Sequence, residues 1–209
     1  MGRRKKEPEA VHRANIASAA ERLFERKGIG NVTVDEIAKE AGYSKATVYV
    51  YFKNKEEIVD VLALKSMKLL QSCIRGALAE DTGIVKRYLG VCDALRRYQE
   101  QSPFYFEFAT EKLRTAGELP VEQEIYETGE EINAELAGFL QEGIAQGAVR
   151  PDIAVLPTVF FLWASLAGVI RMADRKRQYF EEAMGMSEAE FLEEAYRALW
   201  RSVAAEVTG

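Results

Sequence analysis

Apolar residues recur along this chain at spacings of three and four, not two, which is the signature of helices with one buried face. In "VHRANIASAAERLFERKG", Ile16, Ala19, Ala20, Leu23 and Phe24 form such a stripe, and Gly28 suits the left-handed position just past the helix end. Thr33 followed by Glu36 has the spacing of a capping box, so a second helix is predicted, with Val34, Ile37, Ala38 and Ala41 turned inward and Gly42 as its stop. Ser44 can cap a third, very short helix running to about Phe52. Asn54 with Glu57 caps a long fourth that reaches about Ala79. Further helices are expected at roughly 82–101, 103–115, 121–146, 153–177 and 187–206, separated by glycine, proline and serine breaks. No strand-like alternation is sustained, so the predicted class is all-α. The division is placed at 54/55: a three-helix head over residues 1–54 and a larger helical body over 55–209.

Charge separates the same two parts. The chain of 209 residues has a net charge of −5, yet residues 1–55 carry 12 Lys and Arg against 7 Asp and Glu. A basic head on an acidic body suits a head that alone meets a polyanion; a solvated charged surface gives the same count. Residues 153–170, "IAVLPTVFFLWASLAGVI", run 18 positions without a charge and just reach the length of a membrane span. Pro157, Thr158, Ser165 and the amphipathic helices on either side favour a helix buried on all faces instead, so no membrane is expected. "MGRRKKEPEA" has a basic start with no apolar stretch behind it, and two cysteines, Cys73 and Cys92, are too few for a disulfide framework. Both point to the cytoplasm. The only histidine, His12, has no Ser or Cys set to form a nucleophilic triad, and neither a glycine-rich phosphate loop nor a His/Cys cluster occurs. No enzyme activity, cofactor or metal is expected.

The segment "TVDEIAKEAGYSKATVYVYFKNKEE" reads as helix, glycine turn and short second helix, the helix-turn-helix arrangement whose second helix can enter the major groove of DNA. In "SKATVYVY", Val48 and the later Phe52 face inward, which leaves Lys45, Thr47, Tyr49 and Tyr51 wholly or partly outward. These side chains supply donors for phosphate oxygens and base edges, and no acid lies between Glu40 and Glu56 to repel phosphate. A helical hairpin with exposed polar residues, as in an adaptor that binds no DNA, has the same geometry.

The stretch from Ala14 to Val61 resembles the DNA-binding domain of the TetR family of bacterial transcriptional regulators, through "AAERLFERKG" and then "TVDEIAKEAGYSKATVYVYFKNKEEI" in the family's order and spacing. Tyr43, where the family usually has a small aliphatic residue, and Ala46, where glycine is frequent, depart from it. The resemblance implies double-stranded DNA as partner. It makes Thr33, Tyr49, Tyr51 and Lys55 phosphate contacts, Lys45 and Thr47 base-edge contacts, and Ser44 both a cap and a phosphate donor. The tail residues Arg3, Arg4, Lys5 and Lys6 would reach a neighbouring groove or simply solubilise the chain.

Over the body the resemblance is one of architecture, a helical ligand-binding and dimerisation domain. It implies a pocket for a small, mainly apolar effector, with Tyr88, Tyr98, Phe104, Phe108, Tyr126, Phe160 and Trp163 as candidate lining; core packing is the plain alternative. It also implies a homodimer through residues 153–177 and 187–206. Ala164, Ala167 and Gly168 would allow close helix approach, opposite a stripe of Phe191, Ala195, Ala198, Leu199 and Val203. Repression of a palindromic operator, relieved by the effector, is the family's commoner mode; ligand-responsive activation is the other.

Overall fold

The computed structural model describes residues 8–111 and 119–206. Among these, every regular element longer than three residues is helical: α1 (Glu9–Lys27), α2 (Val34–Ala41), α3 (Lys45–Tyr51), α4 (Lys55–Leu78), α5 (Ile84–Gln101), α6 (Pro103–Glu111), α7 (Pro120–Ala145), α8 (Val155–Arg175), α9 (Arg177–Met184) and α10 (Glu188–Arg201). The tail expected to reach DNA, Arg3–Lys6, and the predicted end of α6 at 112–115 lie outside the described residues.

By their contacts the residues group into two compact units, Met1–Ser66 with Arg114–Ile125, and Met67–Leu113 with Tyr126–Gly209. In the first, the predicted stripe of α1 is the core: Ile16, Ala19, Ala20, Leu23 and Phe24 are all buried, joined by Ile37 and Ala38 from α2, Val48 from α3, and Phe52. Each short helix is held at its ends by local chemistry. The Thr33 hydroxyl accepts from Glu36 N at 3.3 Å while the Glu36 carboxylate accepts from Thr33 N at 2.9 Å, a complete capping box. Gly42 ends α2 with φ 74°, where its own N–H and that of Tyr43 both donate to Ala38 O, and a side chain at that φ would be strained. The Ser44 hydroxyl accepts from Thr47 N at 3.1 Å, and Asn54 Oδ1 accepts from Glu57 N at 2.9 Å.

The second unit is a helical body in which α8 packs most extensively on α10. Here the structure corrects two readings. Residues 178–184, outside every predicted helix, belong to α9, whose Phe180 is buried and stacks on Phe191 at 4.2 Å between ring centroids. Ala167 and Val203, expected on the dimer stripe, are buried within the chain instead. Leu156, Phe160, Phe161, Ala164, Gly168 and Met172 stand outward on α8 as a nearly continuous apolar line at helical spacing, beside exposed Pro157 and ahead of exposed Asp174 and Arg175. α8 is the only described helix long and apolar enough to cross a membrane, and only 28% of its most apolar stretch is buried within the chain. The cysteines are free thiols; burial pushes Cys92 up to about 12 and also raises Cys73, so neither is an activated thiolate.

Candidate nucleic-acid interface

α3 is seven residues long, under two turns, and such a helix has no stability of its own in water. Neighbours fix it at three points. Ser44 caps its start, Val48 anchors its middle, and Arg13 of α1 secures its end. The Arg13 guanidinium donates to Tyr51 O and to Glu57 Oε1, the latter at 2.8 Å, and lies 4.2 Å from the centroid of the Phe52 ring. One side chain thereby ties α1 to the last turn of α3 and the first turn of α4.

A second tie runs beside it. His12 Nδ1 is 2.7 Å from the Tyr43 hydroxyl, and the His12 ring stacks on Tyr51 at 5.0 Å with an interplanar angle of 27°. Tyr43, the residue that departs from the TetR pattern at the turn, therefore makes a bond across 31 positions of sequence to the only histidine in the chain. The clamp holds the turn, α1 and the recognition helix in one arrangement.

The seven candidate DNA contacts fall into distinct situations. Lys45 and Tyr49 are exposed, and the Lys45 ammonium rests on Asp35 Oδ2 at 2.7 Å. Both partners of that pair are more than half exposed, so it is weak and exchangeable for a nucleic-acid acceptor. The Thr33, Ser44 and Thr47 hydroxyls are engaged in caps, Ser44 and Thr47 meeting at 2.8 Å. Tyr51 turns one ring face to His12, and its hydroxyl, like that of Tyr49, has no partner among the described residues. Lys55 is half-buried, and its ammonium donates to Ile29 O and Val32 O, each at 3.0 Å. That leaves one of its three N–H groups for anything outside. Outside the predicted set, Lys53 is exposed where α3 meets α4, and Ala46 and Val50 are exposed on α3.

The surrounding charges are largely paired. Glu40 accepts from Arg22 and Arg26, and Lys27 lies 2.7 Å from Glu36 Oε1. The Lys27 ammonium, followed by the Thr33 N–H and hydroxyl, holds the Glu36 carboxyl down at about 2. A carboxyl depressed in the folded state stabilises it above the ordinary value of 4.5 and loses that contribution as pH falls toward 2, so the capping box stays charged at any physiological pH.

In the body, the seven candidate ligand residues do not converge. Tyr88 and Trp163 line an apolar cavity of about 40 Å³ together with Ile74, Leu136, Phe139 and Val159 among others. Burial raises the Tyr88 hydroxyl far above its ordinary value, and it donates to Tyr196 O at 3.1 Å. Tyr98 lines a separate, half-open groove of about 630 Å³ along α4 and α5, beside Cys73, Asp93 and Arg97. Phe104 and Phe108 pack edge to face at 4.8 Å, while Tyr126 and Phe160 are exposed.

A capped two-turn helix presented outward behind a glycine turn defines a helix-turn-helix head. Residues 16–62 match the sequence model of the bacterial regulatory proteins of the tetR family. Over residues 16–62, the head, the chain is thus similar to the tetR family. The regulator TtgR of Pseudomonas putida is 42% identical over 62 residues, 30% of each chain, so this match spans less than a third of that relative's length. The transcriptional repressor KstR2 of Mycolicibacterium smegmatis is 25% identical over 146 residues, 70% of this chain and 71% of that one. A crystal structure of a tetR-family regulatory protein from Rhodococcus RHA1 superposes with a TM-score of 0.71 at 18% identity, over 93% of this chain and 98% of the other, which establishes the fold.

The clamp generates a prediction. Tyr43→Phe removes one half-buried hydrogen bond and should lower stability by about 0.5–1.5 kcal/mol, read as an earlier urea midpoint. Combined with His12→Ala, the two losses should be less than additive because they delete the same contact. An unchanged midpoint for Tyr43→Phe, or fully additive losses, would show that the bond does not hold the turn.

Proposed function

We propose that this chain is a cytoplasmic DNA-binding transcriptional regulator that acts as a homodimer on a palindromic operator. The observation that carries the reading is α3: fixed at both ends, with Lys45 and Tyr49 outward and no acid between Glu40 and Glu56. The functional division falls at 54/55, where the DNA-reading head ends. Repression is favoured over activation because KstR2, similar over 70% of this chain, is a transcriptional repressor.

Dimerisation through residues 153–177 and 187–206 is supported by the outward apolar line of α8, too continuous to be left in water. The same line accounts for its low burial without a membrane. Two-fold symmetry suits half-sites about 34 Å apart.

The effector is a small, mainly apolar molecule entering the cavity beside Tyr88 and Trp163. Ligand pockets run to roughly 300–1,000 Å³, so binding must spread the helices around a space of about 40 Å³. α4 carries that movement: Ile74 near its end lines the cavity, and its first turn is bonded to Arg13 and Asn54 in the head. A ligand that prefers the spread arrangement by ~100-fold shifts the balance by about 2.7 kcal/mol, enough to release DNA.

The test is selection of bound duplexes from a random pool by the purified chain, repeated with Lys45→Ala/Thr47→Ala. The wild type should enrich a two-fold symmetric sequence. The folded double mutant should lose preference at particular base pairs, at a cost of about 1–3 kcal/mol there. Identical profiles would refute the assignment of those residues, and no enrichment would refute the function. Sedimentation at micromolar concentration checks the dimer, which a monomeric wild type contradicts.

A further inference from the structure

At about 100° per residue, the direction on α3 opposite its buried anchor Val48 is occupied by Ala46 and Val50, each within about 20° of it. Lys45 and Tyr49 flank this line on one side, Thr47 and Tyr51 on the other. Val50 is 75% exposed, more than any other large apolar side chain among the described residues. Valine is a poor choice for an exposed helix site on propensity alone, and burial inside the chain gives it no role. The centre of the recognition helix thus presents methyl groups, while its donors stand to the sides.

We propose that Val50, with Ala46 one turn before it, is the specificity-determining apolar contact of the head and reads the C5-methyl groups of thymines in the major groove. This rests on the reading of the chain as a DNA-binding regulator. The chemistry is selective. Thymine alone among the four bases offers a methyl on the major-groove edge, and an apolar side chain is the complement to it. The register also suits the duplex. Four residues of helix advance about 6 Å, close to two base-pair steps of about 3.4 Å, so Ala46 and Val50 can meet methyls on neighbouring or next-neighbouring pairs. The flanks commit the ridge to DNA over a protein partner: Lys45, Tyr49, Tyr51 and Lys53 border it with donors, and the acids beside it are paired, Asp35 with Lys45 and Glu57 with Arg13.

Thymines in the duplex selected by the wild-type chain are replaced one at a time by deoxyuridine, which removes the methyl and leaves the pairing intact. Affinity should fall about fourfold at one or two positions in each half-site, the worth of one buried methyl. Val50→Ala should bind the thymine duplex more weakly by a comparable or larger factor and be indifferent to deoxyuridine at those positions. Alanine is the better helix former at an exposed site, so the variant is expected to fold. Two results overturn the proposal: no thymine whose methyl matters to the wild type, or losses from Val50→Ala and deoxyuridine that simply multiply. If the wild-type chain selects no duplex at all, the DNA reading itself falls, which is a separate and recognisable failure.

Discussion

The constraint on which the head depends is the shortness of α3. Seven residues form too few internal hydrogen bonds to offset the entropy of ordering them, so the helix exists only because its surroundings specify it. Ser44 starts it, Val48 buries its middle, Phe52 ends it in the core, and Arg13 binds the closing carbonyl of Tyr51. With its stability supplied from one face, the opposite face is relieved of any packing duty. That freedom is what allows Lys45, Tyr49 and Val50 to be chosen for an outside partner.

The same logic assigns a purpose to residues that face inward from the interface. Lys55 holds the carbonyls of Ile29 and Val32, which fixes the short turn between α1 and α2 and hence the entry to the capping box at Thr33. His12 occupies the space between Tyr43 and Tyr51. These are preorganising contacts, made before any ligand arrives, and they reduce the ordering cost that binding would otherwise bear.

The head was legible in the sequence because its determinants are local. The caps Thr33, Ser44 and Asn54 lie three residues from the groups they serve, Gly42 is forced by its positive φ, and the anchors follow from helical periodicity. What was not legible depends on distance along the chain or on the partner. The Tyr43–His12 bond spans 31 residues, and the carbonyls that take up Lys55 lie 26 and 23 positions before it. Val50 carries no donor, so a pattern of hydrogen-bonding side chains does not mark it. In the body, aromatic content alone does not define a site: Tyr88 and Trp163 share one cavity, Tyr98 lines a separate groove, and Tyr126 and Phe160 are exposed. Ala167 and Val203 show the same ambiguity on α8 and after α10, where an apolar stripe alone does not distinguish the inner face from the outer.

The central claim is that a preformed, positively lined head meets the backbone and base edges of a duplex. Its most direct measurement is the affinity of the full chain for the selected duplex across a range of salt. The account predicts a linear fall of log affinity with log salt at a slope of about −0.9 for each phosphate neutralised, summing to several contacts for a dimer. Binding insensitive to salt, or absent for every duplex tried at low salt, would contradict it.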